Sequence, residues 1–114
     1  MNKRKERVPP PPAADGWDFR FATSEAAKGW DHLCAAAAAN ARVAWEQITR
    51  DPRRRDSRQH PLKGTLATRS VGGETCEQWQ YEVTAAGRVW YCIDETHRTV
   101  WMTYASASHP KPTE

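Results

Sequence analysis

The sequence has no long apolar run: no window of its 114 residues approaches the roughly 18 apolar positions that cross a bilayer as a helix. No apolar stretch follows the basic N-terminus, so neither a membrane partner nor a secretory signal is expected, and the expected location is cytoplasmic. Cysteine is scarce. Cys34, Cys76 and Cys92 are odd in number, lack metal-ligand spacing and fall inside apolar patterns, which points to reduced structural thiols. Histidine gives no metal signal either, because His32, His60, His97 and His109 are scattered without a pair at helical spacing. A glycine-rich phosphate loop and a Ser-His-Asp arrangement are also missing. No metal and no cofactor are therefore expected.

Excess positive charge is missing too, once its location is considered. The formal net charge is +3, but Lys3, Arg4, Lys5 and Arg7 against Glu6 account for all of it. Removing these four cations and one anion from 17 and 14 leaves 13 of each, a neutral body. A protein that merely adheres to nucleic acid carries a basic body instead. Any positive surface has to come from local clusters such as Arg53-Arg54-Arg55 with Arg58.

What is present divides the chain simply. Residues 1–15 join that charge cluster to four consecutive prolines and cannot bury enough apolar surface to offset ordering. They are expected to be a flexible tail of polyproline character, a solvated leader more than an electrostatic arm or an SH3-type ligand. Residues 16–111 form one domain, and 112–114 a short second tail. Trp17-Asp18-Phe19-Arg20-Phe21 alternates, predicting a first strand with Trp17, Phe19 and Phe21 facing the core. Thr23 or Ser24 can cap a helix whose apolar stripe runs through Trp30, Leu33, Cys34, Ala37 and Ala41. Asn40 can cap a second helix through Arg50, or the two run together, with Ala44, Trp45 and Ile48 on the buried side. Asp51-Pro52 ends it. The polar 53–60 stretch is expected to be a loop.

The C-terminal half reads as hairpins. A strand is expected over 65–71, and period-2 alternation follows over 77–83, 88–93 and 99–104. Gly72-Gly73, Ala85-Ala86-Gly87 and Asp94-Glu95-Thr96-His97 are turn chemistry between them. The fold class is α+β: an N-terminal strand, a two-helix hairpin, then a four-stranded antiparallel meander. Gln80, Glu82, Arg88, Trp90 and Trp101 fall opposite the core-facing positions, so that side of the sheet is expected to be an open working surface.

This order of elements resembles the RelE/ParE superfamily of bacterial type II toxins. The residues that carry the likeness are Trp30-Asp31-His32-Leu33, Asp51-Pro52, Leu62-Lys63-Gly64, Gly87-Arg88-Val89-Trp90-Tyr91 with Ile93-Asp94, and His109-Pro110-Lys111. The resemblance implies an endoribonuclease that cuts messenger RNA without a metal, often on the ribosome. It also implies an antitoxin partner, typically a helix-turn-helix protein encoded beside it. In that chemistry a ribose 2′-hydroxyl attacks the adjacent phosphate, a base takes its proton, cations hold the phosphate, and an acid protonates the leaving oxygen.

The resemblance places Arg88 as the phosphate-gripping arginine, whose bland alternative is an ion pair with Glu82 or Glu77. It makes His109 the terminal acid or base, with Lys111 standing where the family carries arginine. Glu82 is a further candidate base. Lys63, Arg69, Arg20, Gln80 and Trp90 are candidate RNA contacts, Trp90 by stacking on an unpaired base. Gln80 and Glu82 stand near positions where mRNA-cutting members carry lysines. Two alternatives remain open: a ParE-like toxin that binds DNA gyrase, and an inactive binding relative.

Overall fold

A computed structural model describes residues 16–108; residues 1–15 and 109–114, with the two tails and the candidates His109 and Lys111, lie outside the described residues. The elements are β1 (Asp18–Phe21), α1 (Ser24–Ala36), α2 (Ala38–Arg50), β2 (Gln59–Pro61), a 3₁₀ turn (Gly64–Leu66), β3 (Thr68–Val71), β4 (Glu74–Glu82), β5 (Arg88–Asp94) and β6 (Thr99–Ser106). One six-stranded sheet runs in the order β1-β6-β5-β4-β2, with β3 also paired to β4. β1 lies parallel to β6, and every other pairing is antiparallel. The predicted meander is β3 to β6. Both helices pack on one face of the sheet.

Local chemistry explains most boundaries. Thr23 caps α1, its hydroxyl accepting from the Ala26 N–H at 3.0 Å. Asp51 ends α2 ahead of Pro52, as expected. Between the helices the break falls at Ala37, whose φ of −151° and ψ of 62° leave helical space. Asn40 is therefore not a cap. It sits inside α2, where its amide donates to the Val83 carbonyl at 3.2 Å and ties the helix to β4. Gly72 and Gly73 both adopt positive φ, 60° and 85°, as a two-residue turn between antiparallel strands requires.

The core is built from alternate residues of the central strands and one stripe of each helix. Trp79 and Tyr81 of β4 with Val83 just past its end, Val89, Tyr91 and Ile93 of β5, and Val100, Met102 and Ala105 of β6 meet Ala26, Leu33, Ala44 and Ile48. α1 lies so close to β6 that a methyl group on Gly29 would stand 1.8 Å from the Ala105 carbonyl oxygen. Only glycine fits there.

Several expectations need correcting. Trp45 is 44 % exposed and Phe21 47 % exposed, so neither is a core residue. β1 is the last strand of the sheet, and the helical layer does not cover its end. The stretch at 53–60 is not all loop, because Gln59 opens β2, and the strand placed at 65–71 is a 3₁₀ turn followed by a strand from Thr68. The reason for β2 is buried. Gln59 is 1 % exposed, and its Nε2 donates to the Asp51 carbonyl at 3.0 Å and to the Tyr91 hydroxyl at 2.9 Å. Tyr91 in turn donates to the Pro52 carbonyl at 2.7 Å. These bonds pin the start of β2 under the sheet and satisfy groups that would otherwise be stranded in the core.

Candidate functional site

Pairing register assigns the side chains of the face turned away from the helices. Directly opposed residues share a face, so His60 of β2, Gln80 of β4, Trp90 of β5 and Tyr104 of β6 form one cross-strand row. The next row is Glu82, Arg88 and Ser106, and the row on the other side is Gln78, Cys92 and Trp101. The parity expected of Gln80, Glu82, Arg88, Trp90 and Trp101 is the observed one.

The surface is not open, however. Gln80 is 7 % exposed, Cys92 is fully buried, and the Arg88 side chain is 14 % exposed. For Cys92 the cause lies within the sheet. The Gln78 carboxamide of β4 and the Thr103 hydroxyl of β6 bond at 2.5 Å, passing over β5, and so roof Cys92. In a flat sheet, strands two apart stand roughly 10 Å from each other, too far for these side chains. A bulge opposite Trp90 and Tyr91 inserts Thr103 beside Tyr104 and turns both toward this face. The segment after β2 closes one side: the Leu62 N–H donates to the Gln78 carbonyl, and Gln78 Nε2 donates to the Leu66 carbonyl at 2.8 Å. Arg69 reaches across from β3 to the Thr103 carbonyl at 3.5 Å. The result is a face whose central side chains are paired with one another. Burial pushes the Cys92 thiol up to about 12, so it stays protonated and serves as packing.

Each sequence candidate now has a position. Arg88 and Glu82 face each other across the β4–β5 hairpin, with Nη1 and Oε1 4.0 Å apart. The cation is largely buried on this face, and Glu82 is its neighbour more than a lone base. Trp90 stacks at a tilt on Tyr104, ring centroids 4.8 Å apart, and donates its Nε1 to Gln80 Oε1 at 2.9 Å. Gln80 thereby orients the indole instead of standing free at the surface. Arg69 flanks this face. Lys63 is exposed at the start of the 3₁₀ turn. Arg20 is not brought together with these. It lies opposite Trp101 on edge strand β1, five residues along β6 from the Arg88 row, and bonds Asp18 at 2.7 Å. His109 and Lys111 follow Ser106, the residue opposite Arg88, by three and five positions.

Sequence reasoning missed two residues, Tyr104 and, above all, His60. His60 flanks Gln80 in the central row, and its Nδ1 lies 3.3 Å from the Pro61 carbonyl. A carbonyl only accepts, so this contact is a hydrogen bond in the tautomer that carries a proton on Nδ1, which leaves Nε2 unengaged by it. His60 and Arg88 stand two strands and two residues apart on the same face. The signal available in the sequence was weak: a single His before a Pro in a stretch without periodicity.

At the far end of the sheet Glu74, Asp94 and His97 bring one donor atom each within 4.8 Å of one another. The His97 imidazole is already engaged by Asp94 at 2.8 Å, and Glu74 and His97 are exposed. This cluster lies away from the row of His60, Gln80, Trp90 and Tyr104.

With this geometry in place, the solved structures similar to this one decide the fold. The toxin–antitoxin complex RelBE2 from Mycobacterium tuberculosis superposes with a TM-score of 0.58 at 23% identity, covering 84% of this chain and 95% of that one. A metal-bound toxin from Helicobacter pylori superposes at 0.56 and 17% identity, covering 82% and 94%. The chain has the RelE-type toxin fold. The match extends over nearly the whole length of both neighbours. No protein-family profile matches the sequence, and no curated protein matches it.

Proposed function

We propose that this chain is a type II toxin that cleaves messenger RNA by attack of a ribose 2′-hydroxyl on the adjacent phosphate, and that a cognate antitoxin neutralises it. The observation that carries the reading is the row of His60, Gln80, Trp90 and Tyr104 on one face, with Arg88 in the next row. His60 Nε2 takes the 2′-hydroxyl proton. Arg88 holds the phosphate oxygens, where charge builds as the bond forms. Trp90 and Tyr104 present aromatic surface to an unpaired base, and such stacking contributes roughly 1–3 kcal/mol per base. His109 and Lys111 supply the acid for the leaving 5′-oxygen and a second cation. Arg69 and Lys63 steer the backbone from the flank of this face.

Expression without the antitoxin gene is the test. Growth arrest with new 5′ ends in primer extension of cellular transcripts supports the reading, as do 2′,3′-cyclic phosphate termini formed in the presence of EDTA. Arg88→Ala combined with His60→Ala or with His109→Ala abolishes the cuts while the protein stays folded. Arrest with intact transcripts and a DNA-damage response would assign the chain to gyrase binding instead, and normal growth would leave an inactive relative.

A further inference from the structure

The edge of the sheet formed by β1 carries a self-complementary pattern. Among the described residues β1 pairs only with β6. The Asp18 N–H donates to the Arg98 carbonyl at 3.1 Å and the Ala22 N–H to the Met102 carbonyl at 2.8 Å, so the even-numbered peptide groups face β6. By alternation the N–H and C=O groups of Phe19 and Phe21 point out of the sheet. An edge of this kind is a template for another strand.

The geometry points to a second copy of this chain as the occupant, joined by antiparallel pairing of β1 with β1 about a two-fold axis at Phe19. Outward-facing residues must oppose outward-facing residues, which leaves few registers. With the axis at Asp18 two aspartates face each other, and with the axis at Arg20 two arginines do; like charges directly opposed are destabilising. With the axis at Phe19, Asp18 opposes Arg20 of the other copy in both directions. Phe19 exchanges both hydrogen bonds with its counterpart, and the Phe21 N–H meets the Trp17 carbonyl. The Trp17 N–H is already held by the Thr49 carbonyl at 2.9 Å and needs no interchain partner. On the helix side the same register brings Trp17 against Phe21 of the second copy. That covers a ring left 47 % exposed and approaches Trp45, 44 % exposed, which lines the same apolar cleft with Phe19, Phe21, Trp30 and Met102. Asp18 and Arg20 pair within one chain at 2.7 Å while remaining 57 % and 63 % exposed at their side chains, so each has room for a second opposite charge. The interface is isologous and closes at two copies.

Sedimentation of the full chain over a concentration series tests this. The wild type is expected at about 26 kDa, twice the 13.0 kDa of one chain. Arg20→Asp sets carboxylates against one another and should give monomer. The charge swap Asp18→Arg with Arg20→Asp restores the opposed pairs and should restore the dimer. Phe21→Pro removes an outward N–H without touching the bonds to β6, and should give monomer independently of charge. Circular dichroism of each variant separates dissociation from unfolding. A monomeric wild type at every concentration overturns the inference, and so does a dimer that survives both Arg20→Asp and Phe21→Pro. Because the readout is mass, it stands or falls apart from toxicity.

Discussion

Tyr91→Phe is the most informative single substitution, because it removes one oxygen atom from the point that fastens β2 to the core. Tyr91 is fully buried; its hydroxyl donates to the Pro52 carbonyl at 2.7 Å and accepts from Gln59 Nε2 at 2.9 Å. Burial holds its pKa well above the ordinary tyrosine value, so the group acts only as a neutral hydrogen-bond partner. In the variant Gln59 Nε2 keeps its bond to the Asp51 carbonyl. The Pro52 carbonyl loses its donor, and Pro52 is among the most buried side chains. A stranded buried acceptor costs about 1–3 kcal/mol. The expected loss is therefore about 2 kcal/mol, or roughly 8 °C in melting temperature at about 4 °C per kcal/mol for a domain of this size. Urea and thermal melts followed by tryptophan fluorescence measure it. Amide exchange should speed most at Gln59 and His60, and RNA cleavage should fall by more than the folded fraction does. A loss under about 0.5 kcal/mol, the low end for one net hydrogen bond, would refute the claim that this network holds β2 and its histidine in place.

Three further outcomes are expected. The bond from Asp94 raises the His97 pKa above 6.5, so the pair stabilises the fold fully below that value and fades as pH rises through the folded one; Asp94→Asn should return the NMR titration of His97 to about 6.5. Burial alone would raise the Glu77 carboxyl, but bonds from Trp79 and Arg53 outweigh it and hold the group below its ordinary 4.5. Its contribution is thus present above about 4.5 and lost as pH falls through the folded value. Arg53→Ala should move the Glu77 midpoint upward and cost at most about 1 kcal/mol, less in high salt, since the arginine is 40 % exposed at its side chain. Gly29→Ala would drive a methyl group into the Ala105 carbonyl and should cost about 3 kcal/mol or more in a urea melt.

The parts of this fold that were legible in the sequence are those written in local chemistry. Alternation placed β4, β5 and β6 on the correct faces, the double glycine marked the β3–β4 turn, Thr23 marked the start of α1, and Asp51-Pro52 marked the end of α2. The break between the helices was not legible, because it falls inside the alanine run at Ala37 and no side chain there caps or breaks a helix. β2 was invisible for another reason. Its three residues include a glutamine, a histidine and a proline, and what makes them a strand is a buried bond to Tyr91, 32 residues away. The exposure of Trp45 and Phe21 follows from the sheet order, which places β1 at an edge.

The candidate site repeats that lesson in its chemistry. The family resemblance set Gln80 and Glu82 of β4 near positions where mRNA-cutting members carry lysine, which read as a loss from the catalytic set. In the folded chain Glu82 faces Arg88 across the hairpin, and Gln80 and its neighbour Gln78 have work within the sheet. Gln78 ties β4 to β6 and to the 3₁₀ segment, and Gln80 fixes the Trp90 indole. Neutral amides suit that task, since a lysine at 2 % or 7 % exposure would need a counter-charge that these rows do not offer. Under the proposed function, charge and proton transfer then fall to the guanidinium of Arg88 on β5 and the imidazole of His60 on β2, one strand beyond Gln80. If cleavage is retained in His60→Gln, a side chain of similar size that cannot take the proton, the base lies elsewhere and β2 is only a brace. If cleavage falls while the melting temperature holds, the short strand is what lets this sheet do without lysine at its centre.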